Sequence, residues 1–215
     1  LRNNSRDFKI YTLCVDEIVW HILNKIGIEE VVPIMLKEAD SDKLEKAKSD
    51  RPFQAFCWTL KPVALQYVME RYSDCEYFAH LDADLFFYES PDHIFLENPD
   101  ASLYLTHHRN SREFLKYYCS TGIFNTGFVG CKNDNTAYKA VSKWKNQCME
   151  YCPIKEDPVR KIFGDQRYVE SWPDEFPNVH VVRNPGVNAA LWNIQNYTVS
   201  INDGKVYIEG GPLIF

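Results

Sequence analysis

Residues 75 to 95 read CEYFAHLDADLFFYESPDHIF, with two carboxylates, Asp82 and Asp84, one residue apart between two apolar runs. Buried charge is costly unless it is paired or bound to a metal, so the pair should hold something. In an extended chain residues i and i+2 point the same way, about 6.6 Å apart. Both carboxylates then reach one site at the carboxyl end of a strand, where open α/β sheets bind ligands. Two hard oxygen ligands suit Mg²⁺ or Mn²⁺, which carboxylates bind together with a phosphate. The plainer alternative is a solvated strand end whose acids cap the next turn, and the apolar flanks YFAHL and LFFY argue against it. His80 falls on the same side as Asp82, although a histidine there is more often an ordinary strand residue. His107, His108, Arg109 and Arg112 follow another strand; they could bind an anionic group, and a surface basic cluster is the simpler reading.

The elements that must position these residues follow from periodicity. Strands are predicted at 7–16, 29–35 (Pro33 marking an edge), 76–83, 100–106, 125–132 and 178–182. Helical spacing is predicted over 16–26, with Ile18, Ile22 and Ile26 on one side, and over 62–72, with Pro62 in the first turn. The clearest amphipathic helix is 136–152, with Ala137, Ala140, Val141, Trp144, Cys148 and Cys152 on one face. The charged stretch 37–52 reads as a mobile loop or, equally well, as a solvated helix. Near the end, YTVSINDGKVYIEG is a hairpin around Asp203-Gly204. Strands alternating with helices predict an α/β fold, a mixed and mainly parallel sheet flanked by helices, with a late β-hairpin.

At 215 residues, 45% hydrophobic and 25% charged, the chain reads as a single domain spanning 1–215. No run of 18 apolar residues exists, so no transmembrane segment is expected. A formal net charge of −6 argues against nucleic acid as the partner. Seven cysteines, none in a Cys-x-x-Cys pair, read as reduced thiols of a cytoplasmic protein. The matches to glycosylation acceptors at Asn3 and Asn196 carry no meaning in that compartment.

Two enzyme classes put Asp-x-Asp after an apolar strand. Haloacid-dehalogenase-like phosphatases use the first Asp as a phosphoryl nucleophile, but they follow the pair with Thr or Gly-Thr on the first strand of the fold. Here Leu85-Phe86 follows, mid-chain. Glycosyltransferases of the GT-A fold place the pair mid-chain and hold a metal on the donor pyrophosphate with it. The ordered set FCWTLKPVALQYVMERY, HLDADLFFYESPDHIF, FNTGFVGCKND and FGDQRYVESWPDEFPNVHVVRNPGVNAALWN resembles bacterial nucleotide-diphospho-sugar transferases related to glycosyltransferase family 8. The resemblance covers about residues 51 to 215.

That resemblance implies a GT-A fold and transfer of a sugar from a nucleotide-diphosphate donor to a glycan, lipid or protein acceptor. The lipid case is compatible with peripheral membrane association. It assigns Asp82 and Asp84 to the metal, Mn²⁺ or Mg²⁺, and to the donor. It gives Lys61, Asn125, Gly127, Asn188, Trp192 and Asn193 to donor binding, and Asp165 and Gln166 to the reacting carbon. The pairing of Asp165 with Gln166 is that of retaining relatives. Two departures accompany it: the family's first strand and a histidine metal ligand after GPLIF have no counterpart here, so the domain is expected to lack both ends. A sugar-nucleotide-binding module without turnover is the alternative from another class.

Overall fold

The computed structural model of the chain describes residues 1, 3–5, 7–39 and 41–215, apart from the side chains of Ser41 and Asp42. Strand β1 (Ile10–Cys14), helix α1 (Glu17–Ile26) and strand β2 (Val31–Met35) form a parallel β-α-β unit. Asp16 opens α1 by accepting from Val19 N at 2.8 Å, and Gly27 closes it at φ 64°, the left-handed conformation that glycine takes without steric cost. The predicted Ile18, Ile22 and Ile26 do share a side, but that side is exposed, Ile18 by 71%.

Helix α2 (Ser41–Asp50) occupies the segment that reads as a loop or a solvated helix, and its Leu44 and Ala47 are buried against α3 (Phe53–Arg71). The sequence places the start of α3 at Pro62; the structure extends it nine residues upstream, from Phe53. Pro62 therefore lies in the helix interior, a position that costs about 3 kcal/mol for the lost N–H and the ring clash. Burial of ten side chains along α3 offsets that cost and makes Lys61 a mid-helix residue.

Strand β3 (Tyr77–Leu81), short helix α4 (Asp92–Leu96), strand β4 (Leu103–His107), the turn α5 (Tyr118–Thr121), strand β5 (Phe124–Lys132) and helix α6 (Asn135–Glu150) follow. After α6 come α7 (Trp172–Glu175) and β6 (Val179–Val181). The main sheet has the order β3-β5-β4-β6. Its β3–β5 and β4–β5 pairs are antiparallel and only β4–β6 is parallel, so the expected mainly parallel sheet is instead mixed, with an antiparallel centre. The reason lies in the connections: β5 follows β4 without a long helical crossover and runs back between β3 and β4. The late hairpin is present as β7 (Val199–Asn202) and β8 (Lys205–Ile208), joined by β9 (Gly211–Pro212).

Both faces of the main sheet are covered. Leu103, Leu105, Val129 and Cys131 point to one side, where α3 and α6 supply Leu65, Met69, Ala137, Val141 and Trp144. Tyr104 and Phe128 point to the other, against Phe87, Ile94, Ile214 and Phe215. Period-two alternation across two buried faces explains why these strands read as continuous apolar runs. Arg51 fastens the two helices together. Its guanidinium donates to Cys148 O at 2.9 Å and Met149 O at 3.0 Å, carbonyls at the end of α6 that lack helical partners. On the opposite face of the sheet Gly186 permits a close backbone approach, since a Cβ there would lie 2.1 Å from Pro212 O. All seven cysteines are free, and among the described residues no helix is long and apolar enough to cross a membrane.

Trp144 links this core to the segment that carries Asp165: its ring is fully buried and its Nε1 donates to Asp165 O at 2.9 Å. Trp144→Phe should lower stability in chemical denaturation by about 2 kcal/mol, from the smaller ring and the buried carbonyl left unpaired.

Candidate functional site

Asp82 is the first residue past β3, and its N–H donates to Gly127 O at 2.9 Å, so the β3–β5 ladder fixes where its side chain starts. On the other side of β5 the register breaks: Leu105 pairs with Val129, but Thr106 pairs with Asn125. Residues 126–128 thus have no partners on β4, an irregularity of the kind that re-aims side chains next to functional sites. Asn125 steadies it by accepting from Gly127 N at 2.8 Å through Oδ1, and Thr106 Oγ1 donates to Asn125 O at 3.1 Å.

Lys61 reaches this corner from the middle of α3. Its ammonium lies astride the Asp82 carboxylate, 2.9 Å from Oδ1 and 3.0 Å from Oδ2, and 3.8 Å from Asp165 Oδ2. His80 Nε2 adds a contact to Asp82 Oδ1 at 3.0 Å, so His80 serves the aspartate rather than standing as an independent strand residue. Burial pulls the Lys61 ammonium down, but Asp165 and Asp82 outweigh it and hold its pKa above the ordinary lysine value. Burial likewise pushes Asp82 up, yet the His80 contact and the Lys61 charge leave it below the usual carboxylate range.

Asp165 is different. Only 3% exposed, it accepts from Thr126 Oγ1 at 2.6 Å, and burial raises its pKa against the pull of Lys61. The ion pair proper is therefore Lys61–Asp82, and Asp165 is the carboxyl with the greater hold on its proton. Gln166 begins the turn after Asp165 and donates from Nε2 to Thr121 O at 2.8 Å, which leaves its amide oxygen without a protein partner among the described residues. A cavity of about 130 Å³ opens here, lined by Lys61, Asp82, Asn125, Gly127, Asp165 and Gln166. Six residues that the sequence assigns to donor or reaction thus meet around one space.

Three further lining residues, Trp58, Phe163 and Gly164, escape the sequence reading. A signal for Trp58 was available, because it lies three residues before Lys61 and so on the same helical face. Gly164 has φ 55°, and a Cβ on it would come within 3.0 Å of the Trp58 ring. A side chain at this position would press on the Trp58 ring, and its backbone conformation favours glycine in any case.

Asp84 is exposed, and its carboxylate has no hydrogen-bond partner among the described residues. Among those residues no group of three or more His, Cys, Asp or Glu side chains could enclose a metal. Two carboxylates, one of them free, fit a Mg²⁺ or Mn²⁺ ion that keeps most of its ligands from water and phosphate. They do not form a closed protein cage.

Asn188, Trp192 and Asn193 lie apart from this cavity. Asn193 is committed to the backbone: Nδ2 donates to His108 O and Asn188 O, each at 2.9 Å, and Oδ1 accepts from Ala190 N at 2.8 Å. Asn188 takes φ 64° and donates to His107 O at 3.4 Å, while the Trp192 ring packs edge-on against His108. Of the histidine-arginine cluster, Arg112 is exposed as a surface patch would have it, but His108 and Arg109 are not. His108 is buried, and Arg109 is held by Val182 O, Asn184 O and Val187 O. Backbone carbonyls, not an anion, occupy that guanidinium. A larger cavity, about 360 Å³, lies at the carboxyl ends of β1 and β2 among Cys14, Asp16, Lys37 and Lys48; none of the expected site residues lines it.

No protein-family model matches the chain. It is 53% identical over 215 residues to the uncharacterized protein YfnD of Bacillus subtilis (strain 168), covering all of this chain and 69% of that protein. It is also 33% identical over 224 residues to the uncharacterized protein YfnF of the same organism, covering 73% of that protein. The chain belongs to the family of these two proteins.

A neighbour of the site carries a pH dependence: the His108 ring meets the Asn125 amide, Nε2 to Nδ2, at 3.4 Å. Burial pushes the His108 imidazole down to about 4, against an ordinary 6.5, with His107 a minor contributor. The unfolded chain takes up this proton as pH falls below about 6.5, whereas the folded protein resists it until about 4. Stability is then lost progressively across that window, by about 3 kcal/mol in full. Denaturation at pH 7 and pH 4.5 should show that loss in the wild type, and His108→Gln should remove most of it.

Proposed function

We propose that this member of the YfnD and YfnF family is a metal-dependent glycosyltransferase of GT-A type, which moves a sugar from a nucleotide-diphosphate donor to an acceptor hydroxyl. The observation that carries the reading is the convergence on one cavity of Lys61 from α3, Asp82 from the end of β3, Asn125 and Gly127 from the irregular start of β5, and Asp165 and Gln166 from the segment between α6 and α7. Asp84, two residues beyond Asp82, is exposed and supplies a second, free carboxylate.

In this reading Asp82 and Asp84 face the donor diphosphate. A divalent cation bound there would supply Lewis-acid stabilisation to the departing nucleotide diphosphate. The chain's own contribution is positioning. Lys61 keeps Asp82 ionised and fixed. Gly127 lets a ligand approach the backbone closely, and Asn125 locks that turn. Gln166, with its amide oxygen unpartnered, can face the anomeric carbon as positive charge develops there.

The geometry bears on stereochemistry as well. Inversion requires a carboxylate base on the face opposite the leaving group. Asp82 is ion-paired with Lys61, and Asp165 is buried against Thr126 and Lys61, so neither is free to take an acceptor proton. Retention fits: the departing phosphate takes the proton on the same face, and the protein supplies charge stabilisation.

Mn²⁺ or Mg²⁺ should strengthen nucleoside-diphosphate binding measured by calorimetry, and Asp84→Asn, at an exposed position, should abolish that gain without lowering stability. Equal affinity with and without metal would reject the metal site. Gln166→Ala should lower turnover by about 10²-fold, about 2.7 kcal/mol in the barrier, with donor affinity little changed. Proton NMR of the first-formed product should show retention; an inverted linkage would move the search for a base to another carboxylate.

A further inference from the structure

The direction of the Gln166 amide hangs on one hydrogen bond, from Nε2 to Thr121 O at 2.8 Å. Only an N–H can meet that carbonyl, so the amide oxygen is turned away from Thr121. Thr121 ends α5, a helix of four residues, too short to persist by itself. As the last carbonyl of a helix, Thr121 O has no partner within it. Its position must be set from outside.

Glu170 supplies the fastening. Its Oε1 accepts from Ile123 N at 2.5 Å, and Arg167 Nη1 lies 2.7 Å from its Oε2. Arg167 is fixed in turn, since its Nε donates to Lys161 O at 3.1 Å. The fit is close: Gly122 takes φ 81°, and a Cβ on it would stand 2.1 Å from Glu170 Oε1 and 2.9 Å from Arg167 Cδ. From the other side the Ile123 carbonyl accepts from His108 N at 2.9 Å. One short 3-10 turn, Gln166–Ser171, therefore grips residues 121–123 twice, at Thr121 O through Gln166 and at Ile123 N through Glu170. The second grip is the stronger, because its acceptor is charged. Glu170 itself does not line the cavity, and both its oxygens are taken.

We propose that Glu170 is a positioning residue: by fixing Ile123 N it holds Thr121 O where Gln166 Nε2 meets it, and so sets where the Gln166 amide oxygen points. The orientation stands on the geometry alone. Its consequence for turnover rests on the transferase reading, in which that oxygen meets the charge developing at the anomeric carbon.

In nitrogen-15-labelled protein the Gln166 side-chain amide is identified by the signal that Gln166→Ala removes. Glu170→Ala should move that signal, and Glu170→Gln, which keeps an oxygen for Ile123 N, should leave it in place. Glu170→Asp keeps the charge but shortens the reach by one methylene; it should move the signal too, and it serves where Glu170→Ala fails to fold. Turnover is read as release of nucleoside diphosphate from UDP-glucose, UDP-galactose, UDP-N-acetylglucosamine or GDP-mannose, whichever is used best. Glu170→Ala should lower kcat about tenfold and leave KM within about twofold. Added to Gln166→Ala it should cost less than about twofold more, because the amide that it orients is gone. A Gln166 signal unmoved by Glu170→Ala and Glu170→Asp, losses in kcat that multiply, or Glu170→Gln as damaging as Glu170→Ala would overturn the proposal. Any of these with wild-type turnover intact would leave the transferase reading standing without it. No wild-type turnover with any of the four donors would reject that reading and the kinetic claim, and the Gln166 signal would still decide the orientation.

Discussion

One ammonium organises the candidate site. Lys61 spans both oxygens of Asp82, and the carboxyl of Asp165 lies a little farther from the same nitrogen. Two acidic side chains this close in a partly desolvated corner would repel each other and lose hydration, unless a positive charge stands between them or a proton neutralises one. The structure combines the two remedies: Lys61 keeps Asp82 ionised, and burial favours the proton on Asp165. That arrangement fixes the geometry of three segments distant in sequence. It also explains why α3 tolerates a proline in its interior, since the buried stretch of helix around Pro62 is what carries Lys61 inward.

The supporting elements follow from this requirement. β3 ends where Asp82 must begin, and the β3–β5 ladder holds its backbone. The stretch 126–128 of β5, unpaired on its β4 side, turns Thr126 toward Asp165 rather than into the ladder with β4. Trp144 on α6 holds the Asp165 carbonyl from below, and Gly164 lets Trp58 close the wall. Arg51 ties the end of α6 to the start of α3, so that the helix carrying Lys61 and the helix under Asp165 are braced against each other.

Much of this was legible in the sequence, for identifiable reasons. β4 and β5 announce themselves as β-rich apolar runs, and the buried face of α6 is written in its spacing, because each reports burial along a single element. Asp82 and Asp84 stand out because charge between apolar runs is rare. Direction of pairing was not legible: strand-helix alternation suggests parallel neighbours, and only the three-dimensional return of β5 between β3 and β4 makes the centre antiparallel. Neither was the fate of Arg109 and His108, whose composition suggests a surface patch but whose partners are carbonyls and rings from residues 182–192. The side chain of Asn193 is likewise satisfied by backbone atoms that no sequence pattern reveals. Trp58 was missed because an aromatic on a helix usually means core, and what sets it apart is a glycine more than a hundred residues away.

The dependence of this site on Lys61 can be measured by a double-mutant cycle in chemical denaturation, comparing Lys61→Met, Asp82→Asn and the two together. If the ammonium and the Asp82 carboxylate depend on each other, Lys61→Met alone should cost about 2 kcal/mol, less than for a fully buried pair because Asp82 is partly exposed. Adding Asp82→Asn should then recover at least about 1 kcal/mol of that loss. Two single-mutant effects that simply add, to within about 0.3 kcal/mol, would mean that the pair is incidental and that something else holds the corner together.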